Sequence, residues 1–178
     1  MMGNNRVQKM NQLSKEKGTY LLFLNNPEDQ NITIGSLGIV NFPKSYYVYV
    51  GSALGPGGLK KRISRHLRLQ KKIFWHIDYL LNRTELVAIA TIPSKERLEC
   101  KISQQISSQL QRPEQFSISN FGSSDCNCKS HLFCLGNNSL TKIQQDFIHP
   151  LFEQMRVKSV WIERKRKKEK SEEEASSE

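Results

Sequence analysis

The chain has 178 residues, 37% of them hydrophobic, and a formal net charge of +10 from 27 Lys and Arg against 17 Asp and Glu. That length suits one ordinary domain with tails, no run reaches the length of a membrane span, and no apolar core of a secretory signal follows the first residues. The basic excess favours a polyanionic partner, nucleic acid above all, with general solubility as the plain alternative. Four cysteines without a secretory context imply a reducing compartment and free or metal-bound thiols. The expected location is intracellular, cytoplasmic or nuclear.

Residues 1–17 are polar and aperiodic and read as a loose tail. "GTYLLFLN" at 18–25 is an apolar run expected to form a buried strand. "ITIGSLGIVNF" reads as one or two short strands bent at Gly35 and Gly38. "SYYVYVGS" alternates, with Tyr47, Tyr49 and Gly51 on one face and Val48 and Val50 on the other. Together these predict a three-stranded antiparallel core. After the turn "ALGPGG", a helix over 58–70 carries Leu59, Ile63 and Leu67 at i, i+4, i+8. "FWHIDYLLN" is a second short helix, and "TELVAIATI" at 84–92 a further strand ended by Pro93. Ser94 is the expected N-cap of "KERLECKISQQISSQLQ", whose stripe is Leu98, Ile102, Ile106 and Leu110. The fold class is therefore α/β, a small, mainly antiparallel sheet flanked by helices. The compact domain is expected to span 18–136. A partly helical extension interrupted by Pro150 follows over 137–162, then a charged tail, disordered by its composition, over 163–178.

Charge is concentrated. Between Lys60 and Lys72 stand seven Lys or Arg and no acid. Lys60, Lys61, Arg65, Arg68, Lys71 and Lys72 are the expected nucleic-acid contacts. Arg62 and His66 are one turn apart beside the apolar stripe of the helix, so they reach the same neighbourhood. A guanidinium held at a core margin offers a planar fork of donors for phosphate oxygens, where the plain reading is an arginine snorkelling along the helix edge. Glu99 falls within the apolar arc of its own helix. A carboxylate there needs a partner, such as Arg62, or a metal ion.

These residues, in this order, resemble the GIY-YIG nuclease superfamily. "GTY" at 18–20 and "YVG" at 49–51 match its two short signatures. "LKKR", a histidine four residues on, and a glutamate on a later helix follow in sequence. "YVYVGSA", "GGLKKRISRHLR", "WHIDYLL" and "FGSSDCNCKSHLF" are similar to an uncharacterised branch found alone or fused to endonuclease III-like glycosylases, an association that suggests DNA repair. The resemblance implies a metal-dependent endonuclease that hydrolyses phosphodiester bonds in DNA, with RNA a second candidate. It implies that one of the motif tyrosines, Tyr20 or Tyr49, helps activate water, with His66 in base chemistry or phosphate contact. Arg62 would stabilise the phosphate, Gly51 would allow close passage of the chain, and Glu99 would bind Mg²⁺ or Mn²⁺. The alternatives are a nucleic-acid-binding module without turnover and a partner-docking domain.

Departures concern the loops. "NNPEDQNITIGSLGIVNFPKS" lengthens the gap between the signatures, and "LGPGG" delays the arginine. Asn120 is the candidate for an asparagine that some members place near the metal. His76 and Asp78, two apart on "FWHIDYLL", do not face each other on a helix. Of the two, His76 is the candidate site residue, with a core histidine bonded to backbone as the alternative. Cys126, Cys128, His131 and Cys134 form a possible zinc set, but their spacing departs from paired Cys-x2-Cys, and Cys134 lies in an apparent strand where a buried thiol is ordinary. A disulfide that involves Cys100 or the loop cysteines is a further reading, restricted to an oxidising or very hot cell.

Overall fold

The computed structural model describes residues 13–164. The first strand, β1 (Gly18–Asn26), is buried along almost its whole length, as its unbroken run of apolar residues requires. It pairs with β4 (Ser45–Ala53) on one side and β5 (Glu85–Pro93) on the other, both antiparallel. Beyond β4 come β7 (Leu132–Gly136) and the short β6 (Phe116–Ser117); beyond β5 comes β8 (Val160–Glu163). The sheet has six strands in the order β6-β7-β4-β1-β5-β8, and every pairing in it is antiparallel. The fold is thus α/β, with a mainly antiparallel sheet flanked by helices.

The segment expected to supply a third sheet strand between β1 and β4 does something else. β2 (Gln30–Thr33) and β3 (Ile39–Phe42) pair only with each other. Gly35 and Gly38 take positive φ angles of 45° and 73°, and Ile34 exchanges backbone hydrogen bonds across the turn with Leu37 and Gly38. This closes a separate ribbon, and β5 takes the place beside β1.

Alternation along the strands produces two cores. On one face, Tyr20, Leu22, Leu24, Tyr47 and Tyr49 pack with Leu59 and Ile63 of α1 (Gly58–Leu67) and Ile77 and Leu80 of α2 (His76–Leu81). On the other, Leu21, Phe23, Val48 and Val50 meet Ile102 and Ile106 of α3 (Glu99–Gln109). Ile143, Ile148, Leu151 and Phe152 complete that second core. They lie on α4 (Leu140–Ile143), a π-helical turn at Gln144–Ile148, and α5 (His149–Gln154). Pro150 sits at the start of α5, directly after the π turn. It has no N–H to donate, and the wider turn before it relieves the clash a proline ring makes in a regular helix.

Two expected boundaries shift. The extension over 137–162 is partly helical, yet its β8 joins the main sheet and its helices cover one face, so Gly136 does not end the packed unit. Residues 13–17, expected as tail, are tied down: Leu13 is buried, and the carbonyls of Ser14 and Glu16 accept from Lys60 and Leu59. The rest of the expected N-terminal tail and the charged segment from 165 onward lie outside the described residues. Among the described residues no helix is long and apolar enough to cross a membrane.

Candidate functional site

Antiparallel register sets Tyr20 opposite Gly51, two residues from Tyr49. The two tyrosines are therefore diagonal neighbours on one face of the sheet. A side chain at position 51 would run into the Tyr20 ring, which is why glycine stands there. Gly122, at φ 70°, likewise makes room for Tyr49; a Cβ there would come within 2.9 Å of its ring.

The α1 helix lies over this face because Leu59 and Ile63 are its buried stripe. His66, one turn further, is buried with them and faces β1. Its Nε2 is 2.7 Å from the Tyr20 hydroxyl. Burial lowers the His66 pKa below its usual value, outweighing the pull of Asp78 in the opposite direction. The imidazole is thus neutral near pH 7, and its unprotonated nitrogen can accept from Tyr20. Burial is also the main reason that both tyrosine phenols are raised well above their ordinary range. Neighbouring charges modulate that effect: Glu99 raises both phenols and Arg62 lowers both. Arg62 and Glu99 are therefore both within electrostatic reach of the two tyrosines. The body of α3 packs on the opposite face, but Glu99 is its first residue and buried, and its charge is felt by both tyrosines.

Asp78, set aside in favour of His76 by sequence reasoning, is the anchor of the basic helix. Its carboxylate is fully buried at the first turn of α2. It accepts from Arg65 through both oxygens at 3.0 and 2.9 Å, and from the backbone N–H groups of Phe74 and Trp75 at 3.0 and 3.1 Å. Burial alone would raise its pKa, but the interactions with His66 and Arg65 and the two N–H groups hold it well below the usual carboxylate range. His66 Nδ1 is 3.8 Å from Oδ1, too long for a hydrogen bond, so that contact is electrostatic. The i, i+2 spacing of His76 and Asp78 carried no sign of this partnership, which runs instead to a helix thirteen residues earlier.

The basic stretch divides accordingly. Arg65 is committed to Asp78 and to the carbonyl of Lys72. Lys71 Nζ donates to the His66 carbonyl at 2.7 Å and sits 3.6 Å from Asp78. These two expected nucleic-acid contacts are turned into the fold. Lys61, Arg68 and Lys72 are exposed or half-exposed, and Lys60 is half-buried. Arg62 and Arg65 stack on Trp75, their guanidinium carbons 4.3 and 3.9 Å from the ring centroid, which fixes the orientation of Arg62. His76 accepts from the Gly122 N–H at 3.2 Å and packs its ring near Phe121. Asn120 adopts φ 59° and its N–H bonds Lys129, so its backbone closes a turn.

A second cluster lies beside Glu99. The ligand atoms of Cys100, Cys126, Cys128 and His131 all fall within 4.8 Å of one another, and this set could hold a metal ion. Cys134 is not part of it. The strand alternation turns its thiol to the first core, where it contacts Ser45 Oγ and the Glu114 carbonyl. Cys100 takes its place, brought in by α3 from a position well before Cys126 in the chain. Burial and the neighbouring thiols push the Cys128 pKa up to about 12. All four cysteines are free thiols. Three thiols and an imidazole do not suit Mg²⁺, which prefers oxygen donors.

Two of the surface concavities among the described residues are lined by neither Tyr20 nor Tyr49. One is bordered by His149, Phe152 and Arg156, the other by Ser103, Cys128 and Lys129. No curated protein and no solved structure matches the chain. Residues 19–171, which run from β1 through every helix and strand just described, match the family described as a domain of unknown function, DUF123, and the chain belongs to that family.

Proposed function

We propose that the protein is a metal-dependent nuclease of GIY-YIG type that hydrolyses phosphodiester bonds in DNA, with RNA as the second candidate substrate. The observation that carries this reading is the hydrogen bond between Tyr20 and a neutral His66, within the fields of Arg62 and Glu99. In a core such a pair satisfies two buried polar groups; with a guanidinium and a carboxylate in range of it, the same pair suits proton removal from water beside a phosphate. The resemblance in the order of Tyr20, Tyr49, Arg62, His66 and Glu99 supports the same chemistry.

In this mechanism Tyr20 is neutral at rest, because burial disfavours its phenolate. As the attacking water forms its bond to phosphorus, Tyr20 takes the water's proton and passes its own to His66 Nε2. The P–O bond to the departing oxygen breaks, that oxygen takes a proton from solvent, and His66 later releases the one it holds. Arg62, held by Trp75, donates to the phosphate oxygens on which charge builds. Glu99 supplies one hard carboxylate, a donor suited to Mg²⁺ or Mn²⁺ with retained waters, and such an ion would supply Lewis-acid stabilisation of the phosphate. Lys61, Arg68 and Lys72 lie on the solvent side of the same segment, where the nucleic-acid backbone would run.

The test is a cleavage panel of single-stranded, duplex, flap and branched DNA, and RNA, with Mg²⁺ or Mn²⁺ and with chelator. Wild type is expected to cut at least one substrate only with metal. Arg62→Ala should slow it by roughly 10²–10³, the loss typical of one donor aimed at developing charge, and Glu99→Gln should abolish it. Cutting by well-folded Glu99→Gln at the wild-type rate sinks the mechanism. Binding without cleavage on every substrate leaves a nucleic-acid-binding module, and neither binding nor cleavage leaves a docking domain.

A further inference from the structure

We infer that Cys100, Cys126, Cys128 and His131 bind one structural Zn²⁺, and that Glu99 orients His131 for it. Three thiolates and one imidazole are the donor set of a closed, four-ligand zinc site. Zinc–sulfur bonds of about 2.3 Å in a tetrahedron put ligand atoms about 3.8 Å apart. The four atoms here, within 4.8 Å of one another, need to close by about 1 Å or less at the widest pair. Cys126 Sγ and His131 Nε2 are already at 3.4 Å.

The tautomer of His131 is set by its surroundings. Its ring is fully buried, and Nδ1 is 3.2 Å from Glu99 Oε1, although not in hydrogen-bond alignment. A proton on Nδ1 faces that carboxylate and leaves the Nε2 lone pair directed at the thiols. A carboxylate behind a histidine that ligates a metal is the usual way to fix the ring and raise its basicity. The other Glu99 oxygen is 3.6 Å from Arg97 Nε, and Arg97 in turn holds Asp125 at 2.9 Å. An ion pair thus fastens the loop that carries Cys126 and Cys128 to the segment that leads into α3.

The metal therefore acts as a clasp. It joins the first turn of α3 to the 123–131 loop, none of whose residues belongs to either apolar core. Because Glu99 is next to Cys100 in sequence and against His131 in space, the clasp fixes the carboxylate from two directions. This last consequence rests on the proposed nuclease reading, while zinc binding does not.

The experiment is metal analysis of the full-length protein purified under reducing conditions, followed by cobalt substitution. The expected result is close to one zinc per chain. The cobalt form should show thiolate-to-cobalt charge-transfer absorption and the intense visible bands of a tetrahedral site. Cys126→Ser and Cys128→Ser should lose the metal, and Cys134→Ser should keep it. Glu99→Gln should retain zinc but lose roughly 10–100-fold in affinity in a competition with a chelator, the usual effect of removing such a carboxylate. Protein without stoichiometric zinc, a cobalt spectrum without thiolate bands, or a disulfide among these cysteines found by mass spectrometry overturns the proposal. An unchanged affinity in Glu99→Gln overturns the role of Glu99. The measurements on wild type need no variant to fold. A protein that binds zinc but cuts nothing refutes only the nuclease, and one that cuts without zinc refutes only the clasp.

Discussion

Replacing Asp78 by asparagine removes the one negative charge around which α1 and α2 are assembled. The carboxylate has no exposed surface, and the Arg65 side chain retains 24% of its own. Asparagine keeps one acceptor oxygen where the carboxylate has two, and its amide group turns N–H donors toward Arg65 or toward the Phe74 and Trp75 N–H groups. Breaking a buried ion pair from one side costs about 3–5 kcal/mol. Partial exposure lets Arg65 regain water, which points to the lower end, about 3 kcal/mol. For a chain of this size each kcal/mol lowers Tm by about 2–4 °C, so the expected fall is roughly 6–12 °C. Circular dichroism melts at pH 7 read this directly. Arg65→Met should cost a comparable amount. The double variant should cost clearly less than the sum, because each single change strands the other partner. A fall in Tm below about 3 °C, or strict additivity, refutes the view that Asp78 anchors the basic helix.

Two further outcomes follow from the same neighbourhood. The rate of cleavage should fall on the acid side with a midpoint below 6.5, since His66 must be neutral and burial lowers its pKa against Asp78, with Lys71 and Arg65 assisting. Stability shares that sign: the unfolded chain binds the proton first, so the His66 contribution is present above pH 6.5 and declines as pH drops toward the lower folded value. A pH–rate profile with its acid midpoint above 6.5 would contradict both statements. Lys60→Ala, Lys61→Ala and Arg68→Ala together should make log affinity for DNA less steep in log salt, by up to about 0.9 for each duplex phosphate that is no longer neutralised. Arg65→Met should lower Tm without a matching change of slope, and equal slope changes in the two variants would show that Arg65 faces the nucleic acid after all.

The local parts of the site were readable from the sequence because their causes are local. The apolar run at 18–25 has to be a buried strand, and Tyr49 and Gly51 share a strand face by simple alternation. Arg62 and His66 are one helical turn apart beside a stripe of Leu59 and Ile63. Glu99 stood out as a carboxylate inside an apolar arc, and the structure buries it. What the sequence hid are partnerships across long separations. Cys100 reads as an ordinary thiol on a helix, and only the packing of α3 brings it to Cys126 and Cys128. Close spacing drew attention to Cys134 instead, which strand alternation sends to the opposite core. Asp78 looked ordinary beside His76 because its partner lies on another helix. Ser94 had the chemistry of an N-cap, but α3 begins only at Glu99, and the Ser94 hydroxyl accepts from the Glu96 N–H in the turn before it. The strand β8 is short and half-exposed, with no pattern to distinguish it from a loop.

The two sides of the candidate site are mounted on very different parts of the fold. Tyr20 belongs to β1, hydrogen-bonded to a neighbour on each side, with Leu21, Leu22, Phe23 and Leu24 wholly enclosed. Cys126 and Cys128 belong to a run of turns in which Ser124, Asp125, Asn127 and Lys129 are exposed or half-exposed. Amide protons of β1 should exchange with solvent only when the whole domain opens, whereas those of the 123–130 loop should exchange through local opening at much lower free energy. Warming therefore loosens the site from its cysteine side while the tyrosine side is still native. The arrangement of the candidate site should thus be lost at a lower temperature than the fold, and whatever clamps that loop sets the interval between the two.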